Sequence, residues 1–187
     1  DELCNFVGIV AEGGCNVFIV HARKAWLEGL SPKQNREIPP LNYDWVYALK
    51  KQFPHLTIVL NGGIQSLDEC EEHLAEVDGV MLGRAAYQTP WLLSSVDSRL
   101  FGAKDPAISR EAVIAELSEY VDAYLKNGGR LNHVTRHILG LFHQQPGGRL
   151  FRRALSEQAH LSDADSGVLL AALAEVTQRH GKESVVE

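Results

Sequence analysis

The sequence predicts an α/β fold in two parts, strands alternating with helices over residues 1–98 and helices alone over 109–180. Three observations predict it. Short, continuous apolar runs stand at Val17–Val20, Leu56–Leu60 and Val77–Leu82, with helix-like stretches between them. Such runs suit parallel strands covered on both faces, and their alternation with helices implies βαβ units. The composition changes near 98–106, and from Ser109 onward apolar residues recur at steps of three and four.

In chain order, Leu3–Glu12 reads as a helix stopped at Gly13-Gly14, and the strand Val17–Val20 ends in His21-Ala22-Arg23. A polar, proline-containing loop is expected from Lys24 to Asn42, then a helix from Tyr43 to Phe53, stopped near Pro54. The second strand ends in Asn61-Gly62-Gly63. Ser66 and Glu69 have the spacing of a capping box, and Leu67, Cys70 and Leu74 share one face of the helix it opens. The third strand ends in Gly83-Arg84. Three strands cannot close a barrel, and the first would leave a long unpaired edge. Residues 1–98 are therefore expected to be the last part of a larger parallel β/α domain, joined by a linker at 99–108 to the helices.

Those helices are read from Ser109 to the Gly128-Gly129 stop, Leu131–Phe142, Arg149–Ala159 and Ser162–His180. A polar tail, expected to be mobile, follows at 181–187. Trp45 and Trp91 are expected in the core, while Trp26 and Tyr87 are candidates to line a nucleotide path.

Composition narrows the function. The three cysteines, Cys4, Cys15 and Cys70, are an odd number at irregular spacing. They suggest a reducing cytoplasm, with Cys15 and Cys70 as core thiols. No spacing argues for a metal, no apolar run is long enough for a membrane span, and Asp1–Cys4 has no signal-peptide character. The net charge is −6, yet Ala123–Ser156 contains no acid and six bases: Lys126, Arg130, Arg136, Arg149, Arg152 and Arg153. A basic window on an acidic protein is either a solvated face or a footprint for a polyanion. Arg149, Arg152 and Arg153 stand at i, i+3 and i+4, so they share a helix face, and their forks suit phosphate oxygens.

Asn61-Gly62-Gly63 and Gly83-Arg84 lie at the C-terminal ends of consecutive strands. In (β/α)₈ barrels the loops after the last two strands commonly hold phosphate, because glycine lets backbone N–H groups approach an anion. Arg84 would add a fixed charge. His21 also stands at a strand end, where its position leaves open a ligand contact or a satisfied structural histidine.

The run His21-Ala22-Arg23-Lys24-Ala25-Trp26 through Leu41 resembles bacterial tRNA-dihydrouridine synthases of the A subfamily. So do Asn61–Ile64, Asp78–Tyr87, Arg136–Phe142 and Pro146-Gly147, and the likeness covers most of residues 1–160. It implies the C-terminal part of a (β/α)₈ TIM barrel followed by an all-α helical-bundle domain. It implies reduction of uridine in the tRNA D-loop, around positions 20 and 20a, by an enzyme holding FMN, with NADPH as reductant, monomeric and cytoplasmic. His21, Asn61, Gly62, Gly63, Gly83 and Arg84 carry over as FMN contacts, and Lys33, Arg36, Arg149 and Arg152 as tRNA contacts. The family's cysteine acid matches none of Cys4, Cys15 or Cys70 and is expected upstream, so these 187 residues alone are expected to be inactive. Two other readings remain at this stage. One is a different FMN barrel such as a dihydroorotate dehydrogenase-like reductase, which has no use for the basic helical segment. The other is an RNA-binding module without catalysis.

Overall fold

A computed structural model describes residues 2–26 and 28–183. The chain divides into two compact units, Asp1–Arg84 and Ala85–Glu187.

The first unit is an α/β layer. Helix α1 (Glu2–Glu12) leads into β1 (Val17–His21); α2 (Pro32–Asn35) and α3 (Tyr43–Gln52) precede β2 (Thr57–Asn61); α4 (Leu67–Leu74) precedes β3 (Gly79–Met81). The strands form one parallel sheet in the order β1-β2-β3, with His21 in register with Asn61 and Asn61 with Met81. Val46, Leu49, Ile58, Leu60, Leu67, Cys70 and Val77 make a buried core under α3 and α4. Asp78 ties the layers together, its carboxylate accepting from the Ile58 N–H and pairing with Lys50, both at 2.8 Å.

The expectation that all three runs are covered on both faces fails for β1. Side chains alternate along a strand, and Val17 and Ile19 are 57% and 59% exposed while Val20 is buried. Ile19 and His21 share this open face with Met81. Other differences are local. The third strand is shorter than expected. Trp45 is 48% exposed, because α3 turns Val46 and Leu49 inward instead. Cys70 is fully buried, but Cys15 sits before β1, half-buried, its thiol donating to the Val17 carbonyl. Ser66 caps α4 as expected, while the Glu69 carboxylate reaches past it to the Gln65 N–H. The loop after β1 is ordered rather than featureless, because Ser31 and Gln34 form the complete capping box that opens α2.

The second unit is helical among the described residues. Helix α5 (Arg84–Gln88), a 3₁₀ turn (Pro90–Ser95) and α6 (Val96–Phe101) lead to α7 (Arg110–Lys126), α8 (Leu131–Thr135), α9 (Gly148–Gln158) and α10 (Gly167–Glu183). Ile114, Val121, Leu131, Phe142, Phe151, Leu155, Leu169 and Val176 form its buried core, with Trp91 packed against it. The Arg110 guanidinium lies 4.1 Å over the Trp91 ring and donates to the Leu141 carbonyl. That packing places the segment after Gln88 in the second compact unit, which begins at Ala85. The expected linker 99–108 opens inside α6, with irregular chain only from Gly102 to Ser109.

Leu131–Phe142 is not one helix. After α8 the chain turns tightly, with Ile138, Leu141 and His143 donating three residues back. At Gly140 a side chain would overlap the Gln88 carbonyl, so only glycine fits this close approach. Helix α10 runs beyond the expected His180, and 184–187, the rest of the expected mobile tail, lie outside the described residues.

Candidate functional site

The strand ends of the first unit gather one set of groups. His21 and Asn61 close β1 and β2 side by side, and Gly62 follows with its backbone beneath the His21 ring. Gly62 and Gly63 have φ of 126° and 79°, a region that side chains rarely adopt. A methyl on Gly62 would stand 3.1 Å from the His21 ring, and one on Gly63 would strike Leu41. Tyr43 locks this turn by donating to the Gly62 carbonyl at 3.0 Å. Among the described residues, no acceptor takes the N–H of Gly62, Gly63 or Gly83. Three donors at two neighbouring strand ends are therefore free for an anion. Gly83 lies in open space without a strained φ, so its role would be access rather than conformation.

Arg84 is not a bare charge. Its Nη1 pairs with the Glu37 carboxylate at 3.0 Å, and its Nη2 donates to the Arg36 carbonyl at 3.4 Å. Arg23 anchors the same loop by donating to the carbonyls of Glu37 and Pro39. The base of the loop is closed by Ala22 N–H to the Asn61 carbonyl and Asn42 N–H to the Ala22 carbonyl, and its tip by Asn35, which both accepts from and donates to the Trp26 backbone. Burial holds the His21 imidazole below its usual value, with Arg23 and Arg84 adding repulsion of its charged form. The lowered value favours the neutral ring, which can donate at one nitrogen and accept at the other.

This geometry fits a phosphate group. It offers a glycine turn that a Cβ would fill, unpaired N–H groups, an arginine and a neutral histidine. Of the sequence-predicted cofactor residues, His21, Asn61, Gly62 and Gly63 are adjacent, and Arg84 stands by the loop of the first strand. The predictions missed Tyr43 and Glu37. The Ser31-x-x-Gln34 spacing was a readable signal for an ordered loop, but nothing in the sequence marked Glu37 as the partner of Arg84.

Lys33 lies on α2 and Arg36 caps its end, both exposed. Arg149, Arg152 and Arg153 are exposed on α9, whose other side buries Phe151 and Leu155. Arg153 is partly engaged by Glu157 at 3.9 Å. Among the described residues no group of three or more His, Cys, Asp or Glu gathers to hold a metal, and no helix is long and apolar enough to cross a membrane.

The family model described as dihydrouridine synthase matches residues 1–178. The chain is 55% identical over 177 residues to a tRNA-dihydrouridine(20/20a) synthase of Vibrio vulnificus, covering 94% of this chain and 54% of that protein. It is 56% identical over 162 residues to the protein of the same name from Shewanella oneidensis, covering 87% and 48%. For that of Escherichia coli K12 the identity is 54% over 172 residues, covering 91% and 50%. The chain thus spans about half the length of the curated relatives it matches. The resemblance carried by His21–Leu41, Asn61–Ile64, Asp78–Tyr87 and Arg136–Phe142 is borne out, and the chain belongs to the dihydrouridine synthase family.

Proposed function

We propose that this chain supplies the phosphate-holding side of an FMN site and an RNA-gripping helical domain to an enzyme that reduces uridine to 5,6-dihydrouridine in the tRNA D-loop. The observation that carries the reading is the paired strand ends, with the Gly62-Gly63 turn beside His21 and Asn61, in a chain whose relatives are named for modification at positions 20 and 20a. The open sheet face with Val17 and Ile19 supports placing the three strands in a larger (β/α)₈ barrel.

In this reading Gly62, Gly63 and Gly83 N–H groups and Arg84 hold the FMN phosphate, and His21 and Asn61 contact the cofactor. Bound flavin supplies a hydride for C6 of the uracil after reduction by NADPH. Lys33 and Arg36 on the loop, and Arg149, Arg152 and Arg153 on α9 within the helical domain 109–180, contact tRNA phosphates. They hold the tRNA while the target base leaves its stack. The proton for C5 comes from a cysteine outside residues 1–187. Cys70 is buried on the inner face of α4 and unsuited to that task. The enzyme works in the cytoplasm, as a monomer, without a metal.

The test is dihydrouridine formation on unmodified tRNA with FMN and NADPH. The intact protein is expected to turn over, and residues 1–187 alone are not. Turnover by residues 1–187 alone would refute the assignment of the acid, and none by the intact protein would refute the reading.

A further inference from the structure

Tyr87, His137 and Arg136 form a hydrogen-bonded chain on the surface of the helical unit that the cofactor and arginine assignments leave unused. Arg136 Nε donates to His137 Nε2 at 3.1 Å, and His137 Nδ1 lies 2.9 Å from the Tyr87 hydroxyl. An arginine Nε can only donate. His137 Nε2 therefore carries no proton, the ring proton is on Nδ1, and Nδ1 donates to the Tyr87 oxygen. The phenolic proton is left pointing away from histidine, free to be donated to something else. The rings meet edge to face at 5.7 Å, which fixes the tyrosine.

Gly140 packs so closely on the Gln88 carbonyl that any side chain there would overlap it, pinning the end of α5 to the turns after α8. Yet Tyr87 is 56% exposed, and Arg136 and His137 are exposed too. The Tyr87 O–H and the outer nitrogens of Arg136 thus face solvent, and Arg136 lies in a stretch from Ala123 to Ser156 that contains no acid. That combination suits an anionic oxygen acceptor on a polyanion.

We propose that Tyr87 and Arg136 bind one backbone phosphate of the RNA, with His137 as the positioning residue that turns the tyrosine hydroxyl outward. This rests on the tRNA reading above. In the intact protein, Tyr87→Phe keeps ring and charge, so it is expected to weaken tRNA binding about tenfold without changing the slope of affinity against salt. Arg136→Gln is expected to lower that slope by about one unit. His137→Leu should match Tyr87→Phe, and the double variant should be no weaker than either single one, since both remove the same bond. Wild-type tRNA affinity in Tyr87→Phe, or full additivity with His137→Leu, would overturn this assignment alone. Failure of the unaltered protein to bind tRNA would overturn it together with the tRNA reading.

Discussion

The Arg84 guanidinium and the Glu37 carboxylate meet at 3.0 Å, joining the end of the third strand to the loop that carries Lys33 and Arg36. The arginine assigned to the flavin phosphate thus already has an anionic partner, and a phosphate must share or displace it. The loop does not depend on this pair, because Arg23 holds the Glu37 and Pro39 carbonyls independently. Both side chains are about half exposed, so the pair is worth little in stability. Glu37→Gln is therefore expected to leave the melting temperature unchanged and tighten FMN binding by roughly two- to fivefold, the scale of an exposed ion pair. Fluorescence titration with FMN checks it, and weaker binding would show that Glu37 orients Arg84 instead of competing for it.

The two glycine sites are expected to separate conformation from access. Gly63→Ala places a methyl against Leu41 at a φ of 79°, so it is expected to cost about 1–3 kcal/mol in stability along with flavin binding. Gly83→Ala meets nothing within 4 Å, so stability should hold within about 0.5 kcal/mol. If flavin affinity nevertheless falls in Gly83→Ala, the ligand passes close to that backbone. Denaturant unfolding and flavin titration on both variants read the difference, and equal destabilisation would contradict it.

His21 is expected to titrate below 6.5, because burial, Arg23 and Arg84 all disfavour its charged form. For a histidine depressed on folding, the associated stability is fully present above the unfolded value and is lost as pH falls through the folded one. Histidine NMR titration checks it. Arg84→Gln should move the value upward, and no movement would remove Arg84 from the surroundings of His21.

Much of the fold was legible because its signals are local. The apolar runs, the glycine stops and the Ser66 cap each act within a few residues, and the strands and α4 follow them. What was not legible depends on distant partners. The stretch from Leu131 to Phe142 has a helical pattern, but the helix ends at Thr135 and tight turns follow, with Gly140 against the distant Gln88 carbonyl. The helical unit begins at Ala85 because Trp91 packs beneath Arg110. That Asn61, Gly62 and Gly63 end the second strand and His21 the first was readable from the apolar runs and the glycine pair. Tyr43 and Glu37 were not, since each acts on a residue far along the chain, Gly62 and Arg84.

Asp78 is expected to make the first unit acid-sensitive. Its carboxyl is held below the usual range, first by the Ile58 N–H and then by Lys50. A depressed carboxylate contributes stability above its unfolded value, and this is lost as pH falls through the folded one. Asp78→Asn should cost about 1 kcal/mol at pH 7, allowing for solvent screening, and the difference from the unaltered protein should shrink toward acid. Urea unfolding at several pH values checks it, and a constant difference would contradict it.

The central claim is that the strand ends bearing Gly62-Gly63 and Gly83-Arg84 hold the phosphate of FMN. The most direct measurement compares FMN with riboflavin, which lacks only that phosphate, in the intact protein and in Arg84→Ala. FMN is expected to bind at least about tenfold more tightly than riboflavin, with most of that preference lost in Arg84→Ala. Equal affinity for the two flavins, or a preference untouched by Arg84→Ala, would contradict the account.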